Sequence, residues 1–149
     1  MEHTFWTDKL SKFLYENHPD LIFKLKETDE LDDFINVRAE AASTEFELLS
    51  TQGVHQDCAF ETVIANLQEG LKFSRFNMVE SILQEHFIDT YDKFKDKNKR
   101  MAFLVQLVLQ CEEVFKKYDC SDNFAYDDHF DAEIIGTIEE ILEHKTIDL

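Results

Sequence analysis

The chain has 149 residues, three glycines, one proline and a formal net charge of −17 from 32 acidic and 15 basic side chains. Gly plus Pro averages about 12% of ordinary chains, and an all-β fold needs a turn signal every 8–12 residues or so, so β architectures are excluded, as are collagen-like and low-complexity ones. A hydrophobic content of 44% with 13% aromatics excludes an acidic disordered chain, and the length predicts one domain over residues 1–149.

Helical spacing recurs along the chain. Trp6, Leu10, Phe13 and Leu14 stand at i, i+4, i+7 and i+8, one face of a helix. Pro19 ends that helix at Asn17-His18 and opens a short second one with Leu21, Ile22 and Leu25. Glu27 to Asp33 predicts a loop running into a helix start, where carboxylates favour the positive end of the dipole. A longer helix follows, from about Leu31 to Thr51. Phe34, Val37, Ala41, Glu45 and Leu48 form one row on it, and Ile35, Ala42 and Leu49 lie beside that row. Gly53 is placed to terminate it.

The next helix carries Phe60, Val63, Ile64, Leu67 and Leu71, with Gly70 near its end. Asn77 is a candidate cap for another, with Met78, Ile82, Leu83 and Phe87 on its buried side. The strongest pattern runs from Asn98 to about Tyr118 through Met101, Leu104, Val105, Val108, Cys111, Val114 or Phe115, and Tyr118. Phe130, Ile134, Ile138, Ile141 and Leu142 mark a last helix. The expected fold is all-α: a single domain of six or seven amphipathic helices in an irregular or orthogonal bundle, with most hydrophobics in the core.

Charge is uneven. Residues 1–50 are net −7, residues 51–100 net −1 and residues 101–149 net −9. The sharpest window, 119–143, holds Asp119, Asp122, Asp127, Asp128, Asp131, Glu133, Glu139, Glu140 and Glu143, and no lysine or arginine. These nine are the candidate acidic interaction face. Lys93, Lys95, Lys97, Lys99 and Arg100 form the one basic cluster. Its period of two predicts a loop, expected to pair with the acidic C-terminal segment, although surface pairs are individually weak.

The acidic balance argues against nucleic acid as a direct ligand and against anionic membranes. It admits a basic protein or a cation. No uncharged apolar run of about 18 residues predicts a membrane span. Met1 through Asp8 lacks the basic and apolar regions of a secretory signal. Cys58, Cys111 and Cys120 are odd in number with no Cys-x-x-Cys pair. Reduced thiols in the cytoplasm are therefore expected.

Motifs for chemistry are sparse. Read as a calcium loop, residues 119–130 put Phe124 where glycine must turn and Phe130 where a bidentate glutamate should bind, so the EF-hand fails. A looser cation or acid–base site at Asp122, Asp127, Asp128, Asp131 and His129 stays open as the alternative to an interaction face. His55, Cys58, Cys111 and Cys120 lack compact zinc spacing. Neither a nucleophile elbow nor a phosphate-cradling loop is present. No catalytic residue, metal ligand set or cofactor is assigned. Phe73, Phe76 and Phe94 are candidates for an aromatic patch joining copies of the chain into a homo-oligomer. The aromatics of the turn at Ser121 to Tyr126 are expected to pin it to the core.

Two segments carry a family resemblance: Glu69-Gly70-Leu71-Lys72-Phe73-Ser74-Arg75-Phe76 continuing through Ile82, Leu83 and Phe87, and Val114-Phe115 with Lys117-Tyr118-Asp119, Ser121 to Tyr126 and Gly136-Thr137-Ile138. Arg38-Ala39-Glu40 with Ala42, Phe46, Glu47 and Gly53 adds to them, as does His18-Pro19. The chain resembles a Bacteroidetes family catalogued as a domain of unknown function, number 1896. The resemblance implies a small helical bacterial protein, often encoded near conjugative transposon genes, with no established activity, cofactor or catalytic residue. The reading that follows is a non-enzymatic interaction or accessory protein with a basic partner, in its sharper form a DNA mimic.

Overall fold

The structure is a computed structural model and describes residues 2–125 and 127–144. Its elements are α1 (His3–Asn17), α2 (Pro19–Glu27), α3 (Leu31–Thr51), α4 (Gln56–Leu67), α5 (Arg75–His86), α6 (Ile88–Asp92), α7 (Lys97–Gln110), α8 (Glu112–Lys117) and α9 (Asp128–His144). Among the described residues there is no strand. The chain gathers into two compact units, one of Met1–Glu16 with Leu21–Lys72, the other of Asn17–Asp20 with Phe73–Leu149. Each has its own hydrophobic cluster.

Nine helices among the described residues exceed the six or seven expected. One added boundary divides the long helix read from Asn98 to Tyr118. At Cys111 the backbone N–H donates to the Leu107 and Val108 carbonyls at 3.0 and 3.1 Å, and the Cys111 carbonyl accepts from Val114 and Phe115. The apolar spacing passes through this joint unbroken, since Leu104, Val108, Cys111 and Phe115 are all buried, so periodicity does not register it. Charge does mark α8: Glu112 and Glu113 sit in its first turn and Lys116 and Lys117 in its last, matching the helix dipole. The other addition is the five-residue α6.

Helix ends are made with little glycine. After α3, Gly53 takes φ 81. Its N–H donates to Ser50 and that of Val54 to Leu49, at 3.1 and 3.0 Å, which is a Schellman motif. The same pair of bonds closes α2 around Asp29 and α8 around Asp119, with φ 57 and 49. Aspartate tolerates this left-handed conformation better than most side chains.

In the first unit Trp6 is the hub. It is fully buried, with ring centroids 4.9 Å from Phe5 and 5.8 Å from both Phe46 and Phe60. The helices α3 and α4 form an antiparallel hairpin in which Ala39, Ala42 and Ala59 are buried, and small side chains let helix axes approach closely. Polar clamps hold the pair. Arg38 donates to the carbonyls of Leu67 and Glu69, both at 2.9 Å, covering the C-terminal end of α4. Asn66 donates to the Glu45 carboxylate at 2.7 and 3.1 Å. At the other end, His55 Nδ1 accepts the Asp57 N–H and caps α4.

Of the row read first on α3, Phe34 packs against the core cluster while Val37, Ala41 and Leu48 face outward. Val37 and Leu48 are 68% and 54% exposed. The inward row is Ala39, Ala42 and Phe46, with Ile35 and Leu49 packed against the same cluster. Ile35, Ala39, Ala42, Phe46 and Leu49 keep 3–4 spacing without a charged member, whereas the outer row contains Glu45.

In the second unit Ser74 caps α5 by accepting the Asn77 N–H at 2.9 Å, so the cap lies three residues before the Asn77 expected. The Ser74 hydroxyl also donates to the Asn17 carbonyl, and Asn77 Nδ2 donates to Asn17 Oδ1 at 2.9 Å. Phe76, Val79, Ile82 and Leu83 of α5, the inner face of α7 and Phe130, Ile134, Ile138 and Ile141 of α9 make the core. The oligomer patch expected from Phe73, Phe76 and Phe94 does not exist as such. Phe76 and Phe94 are buried core residues, and Phe73 packs on Phe115 and Phe124. These rings fill wide gaps between helices, which an isolated helical segment does not reveal.

Three substitutions test these packing and termination roles. Gly53→Ala is expected to cost about 1 kcal/mol from backbone conformation alone, because an added Cβ meets nothing within 4 Å, whereas Asp119→Gly should gain up to about 1 kcal/mol. Urea denaturation reads the signs, and equal signs would refute the shared left-handed terminator. Trp6→Ala should cost about 3–5 kcal/mol. A midpoint unchanged from the parent would remove Trp6 as the hub.

Candidate functional site

The nine acidic candidates of residues 119–143 divide by what their carboxylates do. Asp119 occupies the left-handed end of α8 and is exposed. Asp122 is half-buried in the following turn. Asp127 precedes α9 and its Oδ1 accepts the His129 N–H at 2.7 Å. That is an N-cap, satisfying one of the donors a helix start leaves unpaired. Its backbone carbonyl accepts from Asp131 at 3.0 Å. Asp127 is thus committed to starting the helix.

On α9 the buried side is set by Phe130, Ile134, Ile138 and Ile141. Helical spacing puts Asp128, Glu139, Glu140 and Glu143 on the opposite side, and all four are exposed. Asp131 and Glu133 fall on the two flanks and are half-buried. Glu133 accepts from Lys117 Nζ at 3.0 Å and from the Tyr118 hydroxyl. The hydrogen bond from Tyr118, helped by Lys117, holds the Glu133 carboxyl below its ordinary value. The same bond, with desolvation and the nearby Glu133 and Asp127 charges, pushes the Tyr118 phenol up to about 12.

The loop before α9 is anchored by aromatic contacts, as its composition predicts. Phe124 lies 5.1 Å from Phe73 and 5.0 Å from Phe130, centroid to centroid, and the Arg75 guanidinium covers Phe115 at 5.2 Å. Tyr126, the other expected anchor, lies outside the described residues. Much of what makes the Glu69–Phe76 and Ser121–Phe124 segments recognisable is therefore capping and packing.

The alternative cation site finds no ligand set among the described residues. Among the described residues no three His, Cys, Asp or Glu side chains come together as a metal ion requires. Asp127 is turned to its capping bond, and Asp128 and His129 stand exposed. Cys111 and Cys120 are buried. Burial pushes the Cys111 thiol up to about 12 and raises that of Cys120 as well, while Cys58 is exposed. The basic cluster also differs from expectation. Lys97, Lys99 and Arg100 belong to the first turn of α7, capped by Asp96, and Arg100 lies over the Tyr91 ring. Within the acidic segment, Lys117 pairs with Glu133 at 3.0 Å, and His144 Nε2 lies 3.8 Å from the Glu143 carboxylate. Among the described residues, no helix is long and apolar enough to cross a membrane.

Comparison with known proteins bears on the family and the fold. The model of a family described as "Domain of unknown function (DUF1896)" matches residues 1–147. No curated protein matches the chain. Among solved structures, the chain is similar to protein PG0816 from Porphyromonas gingivalis, with 25% sequence identity and a TM-score of 0.77 over 98% of this chain and 96% of that one.

The Glu133 contacts yield a pH outcome. A carboxyl held low contributes stability above its ordinary value of 4.5, and that contribution is lost as acid protonates it. Tyr118→Phe should raise the Glu133 pKa toward that ordinary value, read by NMR titration of its side-chain carboxyl carbon. An unshifted titration would remove Tyr118 as the dominant partner.

Proposed function

This chain belongs to the family described as Domain of unknown function DUF1896, and from that premise we propose that it is a non-enzymatic interaction protein whose α9 offers an acidic face to a basic protein. The carrying observation is the exposed side of α9, where Asp128, Glu139, Glu140 and Glu143 stand opposite a wholly apolar inner row. No lysine or arginine occurs anywhere from residue 119 to 143 to neutralise them. Such a surface raises the local potential and steers a cationic partner. Glu133 is excluded from the contact set because Lys117 and Tyr118 already use it. Asp127 is excluded because it caps the helix.

A protein that normally binds nucleic acid is the natural basic partner. In the mobile-element setting that the family resemblance implies, an accessory protein or DNA mimic is the sharper form of this reading. The spaced carboxylates would then occupy a phosphate-binding groove.

The test is retention of proteins from native lysate on the immobilised chain, identified by mass spectrometry. Basic proteins should be held at low salt and released at high salt, because exposed charge interactions are screened. They should be lost from the triple variant Glu139→Gln, Glu140→Gln, Glu143→Gln. Equal retention by the variant, or no basic protein retained, would sink the reading.

A further inference from the structure

The outer face of α3 is a second, independent surface. Val37, Glu40, Ala41, Thr44, Glu45 and Leu48 line a shallow groove of about 560 Å³ along it. The six residues form two consecutive helical holes: Val37-Glu40-Ala41-Thr44, then Ala41-Thr44-Glu45-Leu48. Four side chains at i, i+3, i+4 and i+7 make the socket that receives one knob from a packed helix. Small Ala41 and Thr44 form the floor, and the larger Val37 and Leu48, 68% and 54% exposed, form the ends. The apolar strip spans three turns, about 16 Å at a rise of 1.5 Å per residue.

The rim decides what fits. Glu40 walls one hole and Glu45 the other, and helical spacing sets them on opposite flanks of the strip. Glu45 accepts from the amide of Asn66 at 2.7 Å, a neutral donor that fixes the carboxylate without offsetting its charge, unlike the Lys117 ammonium at Glu133. The groove continues past Val37 into one that adds Glu30, Asp33, Phe34 and Arg38. Among the described residues lining either groove, the one cation is Arg38 of the second. Its guanidinium is committed to the Leu67 and Glu69 carbonyls and to the face of Phe34 at 4.9 Å. The strip is thus apolar in the middle and anionic along both edges. A second copy of α3 laid on it would set carboxylate against carboxylate, and an anionic surface would be repelled along its length. A helix with two apolar knobs one turn apart and lysine or arginine on both flanks meets every feature.

We propose that this face of α3 binds a basic amphipathic helix of a partner protein. The surface shares no residue with the acidic face of α9 and stands or falls separately from it.

The probe is a fluorescein-labelled synthetic helix of about 18 residues, five turns, with leucine at the a and d positions of its heptads and lysine at e and g. Fluorescence anisotropy compares it with a glutamate-flanked counterpart and with a scrambled peptide of the same composition. The wild-type chain should bind the lysine-flanked helix at least about tenfold more tightly than either control. Val37→Ser with Leu48→Ser should weaken binding about tenfold, the loss of roughly 1.4 kcal/mol. The α9 triple variant should bind as wild type, which separates this proposal from the reading of α9. Because both substituted residues are exposed, folding is checked by circular dichroism. Amide shift mapping on the unmutated chain gives a second readout that needs no variant, with changes expected at Val37, Ala41, Thr44 and Leu48. Binding lost only in the α9 variant overturns the proposal, as does equal binding of the scrambled peptide or shifts elsewhere. Self-association abolished by the α3 substitutions overturns the charge argument behind it.

Discussion

A helix leaves its last carbonyls without internal partners, and a chain made of short helices meets that cost repeatedly. Here the usual solution is in short supply, with three glycines in 149 residues. The molecule reverses direction by three means. Gly53 terminates α3 in the ordinary way. Asp29 and Asp119 adopt the same left-handed conformation without being glycine, and each permits two backbone bonds that close the end. At the end of α4, Arg38 reaches over from α3 and covers two carbonyls directly. The hairpin in the first unit and the turn leading to the Phe124 loop in the second both depend on these terminations.

Amphipathic spacing made much of the fold legible in advance. The inner residues of α1 and α9 are those that periodicity selects, and Gly53 ends α3 where expected. Periodicity failed where it carried no information. The apolar rhythm runs straight through Cys111, so the break between α7 and α8 was missed, although Glu112-Glu113 and Lys116-Lys117 mark it. On α3 two apolar rows compete, and the presence of Glu45 in one of them was the signal that it faces outward. Phe76 and Phe94 could not be assigned from a helix alone. Whether a ring fills a gap between helices or lies on a surface depends on the neighbouring element.

The acidic segment shows the same division. Its charge was fully legible, because composition needs no coordinates. Its internal division of labour was not. Asp127 is a cap, Asp119 a terminator and Glu133 a hydrogen-bonded partner of Tyr118 and Lys117, and each role depends on backbone geometry or on a side chain from another helix. Removing these three, and Asp122 in the turn after α8, leaves a more compact set on α9. The local pattern Asp127-x-His129 before an apolar run would have flagged the cap, since an aspartate two residues ahead of a free N–H is a common helix start.

The thiols have a practical corollary. Thiolate is the reactive form of cysteine, and burial disfavours it at Cys111 and Cys120, whereas Cys58 stands exposed in the first turn of α4. An alkylating dye or spin label added to the native chain therefore attaches at one address. Slow consumption of the remaining two thiols then becomes a clock for transient opening of the second unit, counted against a first unit already tagged.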